Sequence, residues 1–227
     1  MQAEPLKIPV DAGLEVSALA LDPGHAHAAL VLGHGAGAGM THPFMHALAA
    51  ALAAEGVANL RYQFPYMEAG SRRPDAPPVC HRTVRSAVTL AARRWPALPL
   101  FAGGKSFGGR MTSQAQASAA LPAVRGLVFF GFPLHPAGKP SSGRADHLAA
   151  IDVPQLFLQG DRDKLADLAL LQPAIARLPR ASLHVIAHAD HAFQVPVKSG
   201  RTGAQVLQEI ARTSGAWFDA VVGQAQG

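Results

Sequence analysis

The sequence predicts an α/β protein built on a mostly parallel, doubly wound sheet, and three observations carry that expectation. Short apolar runs alternate along the chain with longer segments of helical periodicity. Most of the runs are apolar throughout, as strands covered by helices on both faces require. A serine flanked by glycines, Gly104-Lys105-Ser106-Phe107-Gly108, sits where one such run meets a helical segment.

The elements follow in order. "EVSALAL" (15–21) alternates as a strand does, and "AALVLGHG" (28–35) is a buried strand ending in glycines. Thr41 and Pro43 supply a cap and an early proline for a helix that runs to Gly56. "VANLRYQF" (57–64) is the next strand, followed by a Pro/Gly/Arg-rich loop at 65–78. From Cys80 to Trp95 a helix places Val84, Ala87, Val88 and Ala91 on one face. "LPLFAGG" (98–104) leads into a helix from Ser106, and "GLVFFGFP" (126–133) leads into a loop. "VPQLFLQG" (153–160) precedes a helix near 165–178, and "SLHVIAH" (182–188) precedes a last helix near 203–222. No internal repeat or low-complexity segment interrupts this order.

Composition narrows the function. With 227 residues the chain holds one full core, so a single domain over 1–227 is expected. Hydrophobic residues at 49% and charged residues at 15% exclude a disordered chain. The net charge of +5 is spread over scattered arginines, and aromatics are only 6%. No basic run alternates with aromatics as a stacking platform would need, so no nucleic-acid partner is expected. Cys80 is the single cysteine, which excludes an internal disulfide and a Cys-rich zinc site. The N-terminus has no charged segment followed by an apolar one, and no apolar run reaches the ~18 residues of a membrane span. The expectation is a soluble, cytoplasmic protein without a membrane partner. Nothing in the sequence fixes its oligomeric state.

The Gly-Lys-Ser at 104–106 fits two kinds of chemistry. A phosphate-binding loop needs a glycine five residues before it, and Pro99 stands there, inside a strand-like run and lacking an N–H. A nucleophilic serine on a tight strand-to-helix turn needs small neighbours two positions away, which Gly104 and Gly108 supply. The helix starting there aims its free N–H groups at a developing oxyanion, and the N–H of Phe107 is the first donor. Such a serine needs a base and a group that orients the base, in the chain order serine, acid, histidine. "QGDRDKLA" (159–166) offers Asp161 and Asp163 after one strand, and "HADHAF" (188–193) offers His188 and His191 after the next.

With these three segments in place, the sequence resembles the α/β-hydrolase superfamily over essentially its whole length, and within it the small, lidless, dienelactone-hydrolase-like members. "HGAGAGM", "RYQFPYME" and "GGKSFGGRM" are similar to a family of predicted hydrolases. That family is related to the hydrolase-like subunit of the NSL histone-acetylation complex and to a testis-expressed homologue. The resemblance implies Asp163 as the acid, through a Gly-x-x-Asp pattern, and His191 as the base, through an Asp-His-x-Phe-like segment. It also implies the N–H of Ala36 as the second oxyanion donor. Asp161 is then expected at the strand end, His188 as a partly buried structural residue, and His34 as a brace of the 34–39 loop.

Other residues are set aside. His42 and His46 are four apart on a helix, but Pro43 stands where a zinc hydrolase carries glutamate, and no third ligand is evident, so neither metal nor cofactor is expected. His25 and His27 fall in a turn, and Lys105 is expected to face solvent. Arg110, one turn after Ser106, is expected to pair with Glu68 or with an aspartate of 161–163, with contact to substrate as the alternative. Tyr66, Met67, Arg72 and Arg73 of the 65–78 loop are expected to wall the cleft. Only about twenty residues separate the 126–133 and 153–160 strands, too few for a large lid. The expected enzyme is therefore a serine hydrolase, of carboxylesterase type, acting through an acyl-enzyme on small or water-soluble esters or thioesters. The alternatives are a non-catalytic hydrolase-like scaffold and a peracid-forming perhydrolase.

Overall fold

The computed structural model describes residues 2–224. Eight strands form one open sheet: β1 (Glu4–Asp11), β2 (Leu14–Leu21), β3 (Ala28–Gly33), β4 (Val57–Tyr62), β5 (Leu100–Lys105), β6 (Val124–Phe130), β7 (Gln155–Gly160) and β8 (Ala181–Ile186). Their spatial order is β1-β2-β4-β3-β5-β6-β7-β8. β1 pairs antiparallel with β2 and β2 antiparallel with β4, and every other pair is parallel. β3 and β5 are neighbours although the chain passes through β4 between them. The winding therefore reverses direction at this pair, and a crevice opens at the carboxyl ends of its strands.

Six helices cover the sheet: α1 (Pro43–Ala54), α2 (Pro65–Glu68), α3 (Pro77–Arg94), α4 (Phe107–Ser118), α5 (Leu168–Ala176) and α6 (Gly203–Gln224). Successive residues of a strand point to opposite faces, and β3 divides accordingly. Ala29 and Val31 pack with Val84, Ala87 and Val88 of α3 and Met111 and Ala115 of α4. Ala28, Leu30 and Leu32 pack with Met45, Leu48 and Leu52 of α1 and Val206, Ile210 and Phe218 of α6. β3 to β7 are buried along their full length apart from Arg125, which is why their sequences carry no alternation.

The sequence reading holds for this framework and departs from it in four places. It missed β1, which carries Pro5 and Pro9 and reads as irregular; an outermost strand tolerates them because its outward N–H groups need no partner. The 65–78 loop begins with α2, and the segment after β6 contains a short 3-10 helix at Gly143–Ala150. α1 starts at Pro43 as expected, but His42 rather than Thr41 caps it, its Nδ1 accepting the N–H of Phe44 at 3.2 Å. No described helix is long and apolar enough to cross a membrane.

Candidate active site

Ser106 sits between β5 and α4 with φ 51° and ψ −113°, a left-handed conformation rare for a residue with a side chain. The turn is this tight because α4 runs directly over the end of β3. A Cβ on Gly108 would lie 2.4 Å from the Gly33 carbonyl carbon, and one on Gly104 would lie 2.5 Å from the Gly33 oxygen. Only glycine fits at either place. The strained turn lifts Ser106 out of the sheet while its backbone N–H stays bonded to the Phe130 carbonyl at 3.1 Å.

From beyond the carboxyl end of β8 His191 reaches the serine, and from beyond that of β7 Asp163 reaches His191. His191 Nε2 lies 2.9 Å from Ser106 Oγ, and His191 Nδ1 lies 2.6 Å from Asp163 Oδ2. Asp163 has its side chain fully buried, and two other donors hold it: the Leu165 N–H to Oδ1 at 2.7 Å and Gln159 Nε2 to Oδ2 at 2.5 Å. With Nδ1–H donated to the carboxylate, Nε2 is the free acceptor and the serine hydroxyl donates to it. Asp161 is exposed at the end of β7, outside this cluster. His188 is also exposed, at φ 63° in the turn beyond β8; the expected partly buried position is not what the fold gives, because β8 ends at Ile186.

The loop after β3 faces the serine from the other side. His34 is fully buried, and its Nε2 accepts the Phe64 N–H at 3.0 Å. Its Nδ1–H donates to the Gly35 carbonyl at 2.8 Å. Burial pushes His34 down to about 4, so it remains the neutral imidazole that this pattern requires. In a trans peptide the N–H points opposite to its C=O. Holding the Gly35 oxygen against His34 therefore turns the Ala36 N–H to the side away from His34. The Ala36 carbonyl in turn accepts the Tyr66 hydroxyl at 2.9 Å. The Phe107 N–H is the first of α4 and lies in the turn whose donors have no carbonyl within the helix to meet them.

Ser106 and Ala36 line two cavities at once. One, about 270 Å³, is apolar and includes Phe44, Met45, Lys105, His191 and Ala192 in its wall. The other, about 360 Å³, includes Asp75, Phe107, Arg110, Met111 and Arg144. The 65–78 loop does wall the second cavity, but through Pro74, Asp75 and Pro77. Of the residues expected there, Arg72 and Arg73 are exposed and line neither cavity, Met67 packs against the core, and Tyr66 is buried beneath the loop.

Two basic residues differ from expectation. Lys105 does not face solvent: it is 8% exposed, and its Nζ has no hydrogen-bond partner among the described residues. The Nζ lies 5.4 Å from the Phe193 ring centre and 6.0 Å from that of Phe44. Burial pushes its ammonium down to about 8, against the opposing pull of the Asp163 and Asp190 carboxylates. Arg110 makes no ion pair among the described residues. Glu68 is taken by Ser17 and Lys7, and Asp163 by the contacts above. Arg110 instead lies 5.9 Å from the Phe107 ring centre, with its Nε buried and unpartnered. Sequence reasoning passed over Gln159 and Arg144. The signal for Gln159 was a polar residue inside the apolar run "VPQLFLQG", and Arg144 carried none. His42, which caps α1, and His46 within it are exposed, and no group of three or more metal-ligating side chains occurs among the described residues.

A serine on a strained strand-to-helix turn, at the crevice of an open and mostly parallel sheet, is the arrangement of the α/β hydrolases. The chain belongs to this family: the alpha/beta hydrolase domain matches residues 26–219. Its fold is similar to that of a dienelactone hydrolase from Anabaena variabilis, at 20% identity and a TM-score of 0.76 over 97% of this chain and 99% of that one. It is similar to the esterase domain of a Rhodothermus marinus protein, at 15% identity and a TM-score of 0.72 over 96% and 98%. It is also similar to an α/β serine hydrolase without a lid from Xanthomonas campestris, at 18% identity and a TM-score of 0.69 over 94% and 95%. At these identities the likeness speaks for the fold alone.

Proposed function

We propose that the protein is a serine hydrolase that cleaves a small or water-soluble carboxylic ester or thioester through an acyl-enzyme on Ser106. The observation that carries this reading is the continuous relay Ser106–His191–Asp163, with heavy-atom spacings of 2.9 and 2.6 Å, beside two cavities. His191 Nε2 takes the serine proton as Oγ attacks the carbonyl carbon, and Asp163 stabilises the imidazolium that forms. The N–H groups of Ala36 and Phe107 receive the oxyanion. Collapse of the tetrahedral intermediate expels the alcohol or thiol, which takes its proton from His191. Water then attacks the acyl-enzyme, giving its proton to His191, and the acid leaves as Oγ regains a proton.

The size of the substrate follows from what stands over the site. The segment between β6 and β7 holds only a short 3-10 helix, so Ser106 is reached from solvent and needs no extended lipid tail to open a lid. Attack of peroxide on the same acyl-enzyme would give a peracid, and a non-catalytic scaffold role would need no turnover at all.

The test is labelling with a fluorophosphonate probe, with the modified peptide located by mass spectrometry, alongside a panel of short esters and thioesters. We expect the label on Ser106, and Ser106→Ala lowering turnover by about 10⁴-fold, roughly 5.5 kcal/mol of transition-state stabilisation, with an unchanged circular-dichroism spectrum. Absence of both labelling and turnover favours the scaffold, and peroxide-dependent product favours the perhydrolase. Full activity in the alanine variant discards the mechanism.

A further inference from the structure

The two cavities that meet at Ser106 differ in chemistry. His191 lines the apolar one and is absent from the wall of the other. A leaving group must lie within reach of His191 Nε2, because that atom returns the proton to it. The leaving alcohol or thiol therefore belongs in the apolar cavity, against Phe44 and Met45. The acyl chain extends the other way, toward Arg110 and Arg144.

That second cavity carries a net positive charge, two guanidiniums against the single carboxylate of Asp75. Arg110 forms no ion pair among the described residues, and its Nε is out of solvent without a partner. Burial is the main cause of its lowered pKa, and the neighbouring charge of Arg144 adds to it. Arg144 gives one N–H to the Pro133 carbonyl at 3.3 Å and likewise forms no ion pair among the described residues. His147, held toward its neutral form chiefly by burial, also feels the charge of Arg110. The one carboxylate in the wall, Asp75, spends its Oδ2 on the Tyr66 N–H at 2.8 Å and pairs with neither arginine. The ring of Phe107 beneath Arg110 offsets little of this charge. Two guanidiniums facing one cavity are the donor set that a carboxylate satisfies through paired N–H groups.

We propose that this cavity is the acyl-side subsite for a terminal carboxylate, so that the preferred substrate is a half-ester or half-thioester of a short dicarboxylic acid with an apolar leaving group. The inference rests on the reading of Ser106 as the acylated residue. Arg110 follows Ser106 by four residues, about 6 Å along a helix axis, which suits a short chain between the two carbonyl carbons.

The experiment compares p-nitrophenyl half-esters of glutaric and adipic acid with p-nitrophenyl valerate and hexanoate, which match them in length but end in methyl groups. We expect kcat/KM for each half-acid to exceed that of its methyl-ended partner by about 10-fold or more. The excess should shrink as KCl rises from about 50 to about 500 mM, because the attraction is between charges. In the double variant Arg110→Gln, Arg144→Gln the ratio of the two kcat/KM values should fall toward one. The native enzyme alone can overturn the subsite: equal or better use of the methyl-ended esters, or a salt-independent preference, removes it. So does a double variant that folds and keeps the preference. Valerate hydrolysis and Ser106 labelling without any charge preference refute the subsite and leave the hydrolase reading standing. Failure of all four esters together with failure to label refutes both.

Discussion

Asp163 accepts from His191, Gln159 and the Leu165 N–H, and its side chain is fully buried, whereas Asp161 two residues earlier is exposed. That contrast makes a sharp prediction for the proposed mechanism. Asp163→Asn replaces an acceptor with an amide that favours the wrong imidazole tautomer, and should lower kcat by about 10³- to 10⁴-fold. Asp161→Asn should change it by less than about 3-fold, as expected for an exposed side chain. Steady-state kinetics on a short aryl ester checks both, and a larger loss at Asp161 would reverse the assignment. The residues alone left this pair open, because spacing places an acid near the end of a strand but does not say which of two faces inward. Lys105 and Arg110 were misjudged for a related reason. Lysine next to a glycine turn usually lies outside, yet here the side chain is covered by Phe44 and Phe193, residues 61 positions before and 88 positions after it in the chain. An ion pair is likewise a property of the packed chain, and the carboxylates nearest in expectation were already taken by Ser17, Lys7 and His191.

At the scale of elements, the placement of Ser106 depends on how closely α4 approaches β3. Gly108→Ala would put a methyl group 2.4 Å from the Gly33 carbonyl carbon, which the backbone of both elements would have to accommodate. The expected result is a loss of about 1–3 kcal/mol or more in urea unfolding, with a fall in activity as the oxyanion donors shift. Gly203→Ala, at the start of α6 with nothing within 4 Å, serves as the control and should be neutral or slightly stabilising. Equal effects at the two sites would mean that the approach of α4 to β3 is not the constraint. The same closeness explains what the sequence made legible. The strands buried on both faces and the glycine turn impose strong local patterns, so β3 to β7 and the start of α4 could be read directly. The outer strand β1 and the four-residue α2 impose weak ones. Their conformations come from pairing with β2 and from packing under the 34–39 loop, contacts that no short window of sequence contains.

For the whole molecule, the buried titratable groups set the dependence of stability on pH. A base whose pKa falls on folding binds fewer protons folded than unfolded between its two values, so stability climbs with pH across that window. His34, moved from 6.5 to about 4, raises stability over that acid range, and Lys105, moved from 10.5 to about 8, does so over the alkaline one. The lowered carboxyls of Asp22, Glu68 and Glu209 act in the same direction below their ordinary range. Cys80, pushed by burial from 9.0 up to about 12, acts oppositely: the unfolded thiol ionises first, so stability falls as pH rises above 9.0. Tyr62 and Tyr66, also raised by burial, add to that fall. The expected curve is a dome with its maximum at about pH 9–10, where the Lys105 gain and the Cys80 loss balance before the tyrosines add to the fall. Lys105→Met isolates one side of it. Below pH 8 the folded protein holds an ammonium away from water, so the methionine variant should be more stable at about pH 7 by up to about 3 kcal/mol. As pH rises from about 8 toward 10.5 the native lysine sheds its proton in the folded state, and the advantage should shrink. Cysteine and tyrosine terms cancel in the difference between the two proteins, so urea unfolding of both at about pH 7 and about pH 9.5 is sufficient. An advantage that stays constant between the two pH values, or a variant less stable than the native protein at both, would mean that Lys105 is not a charged group held at the expense of stability.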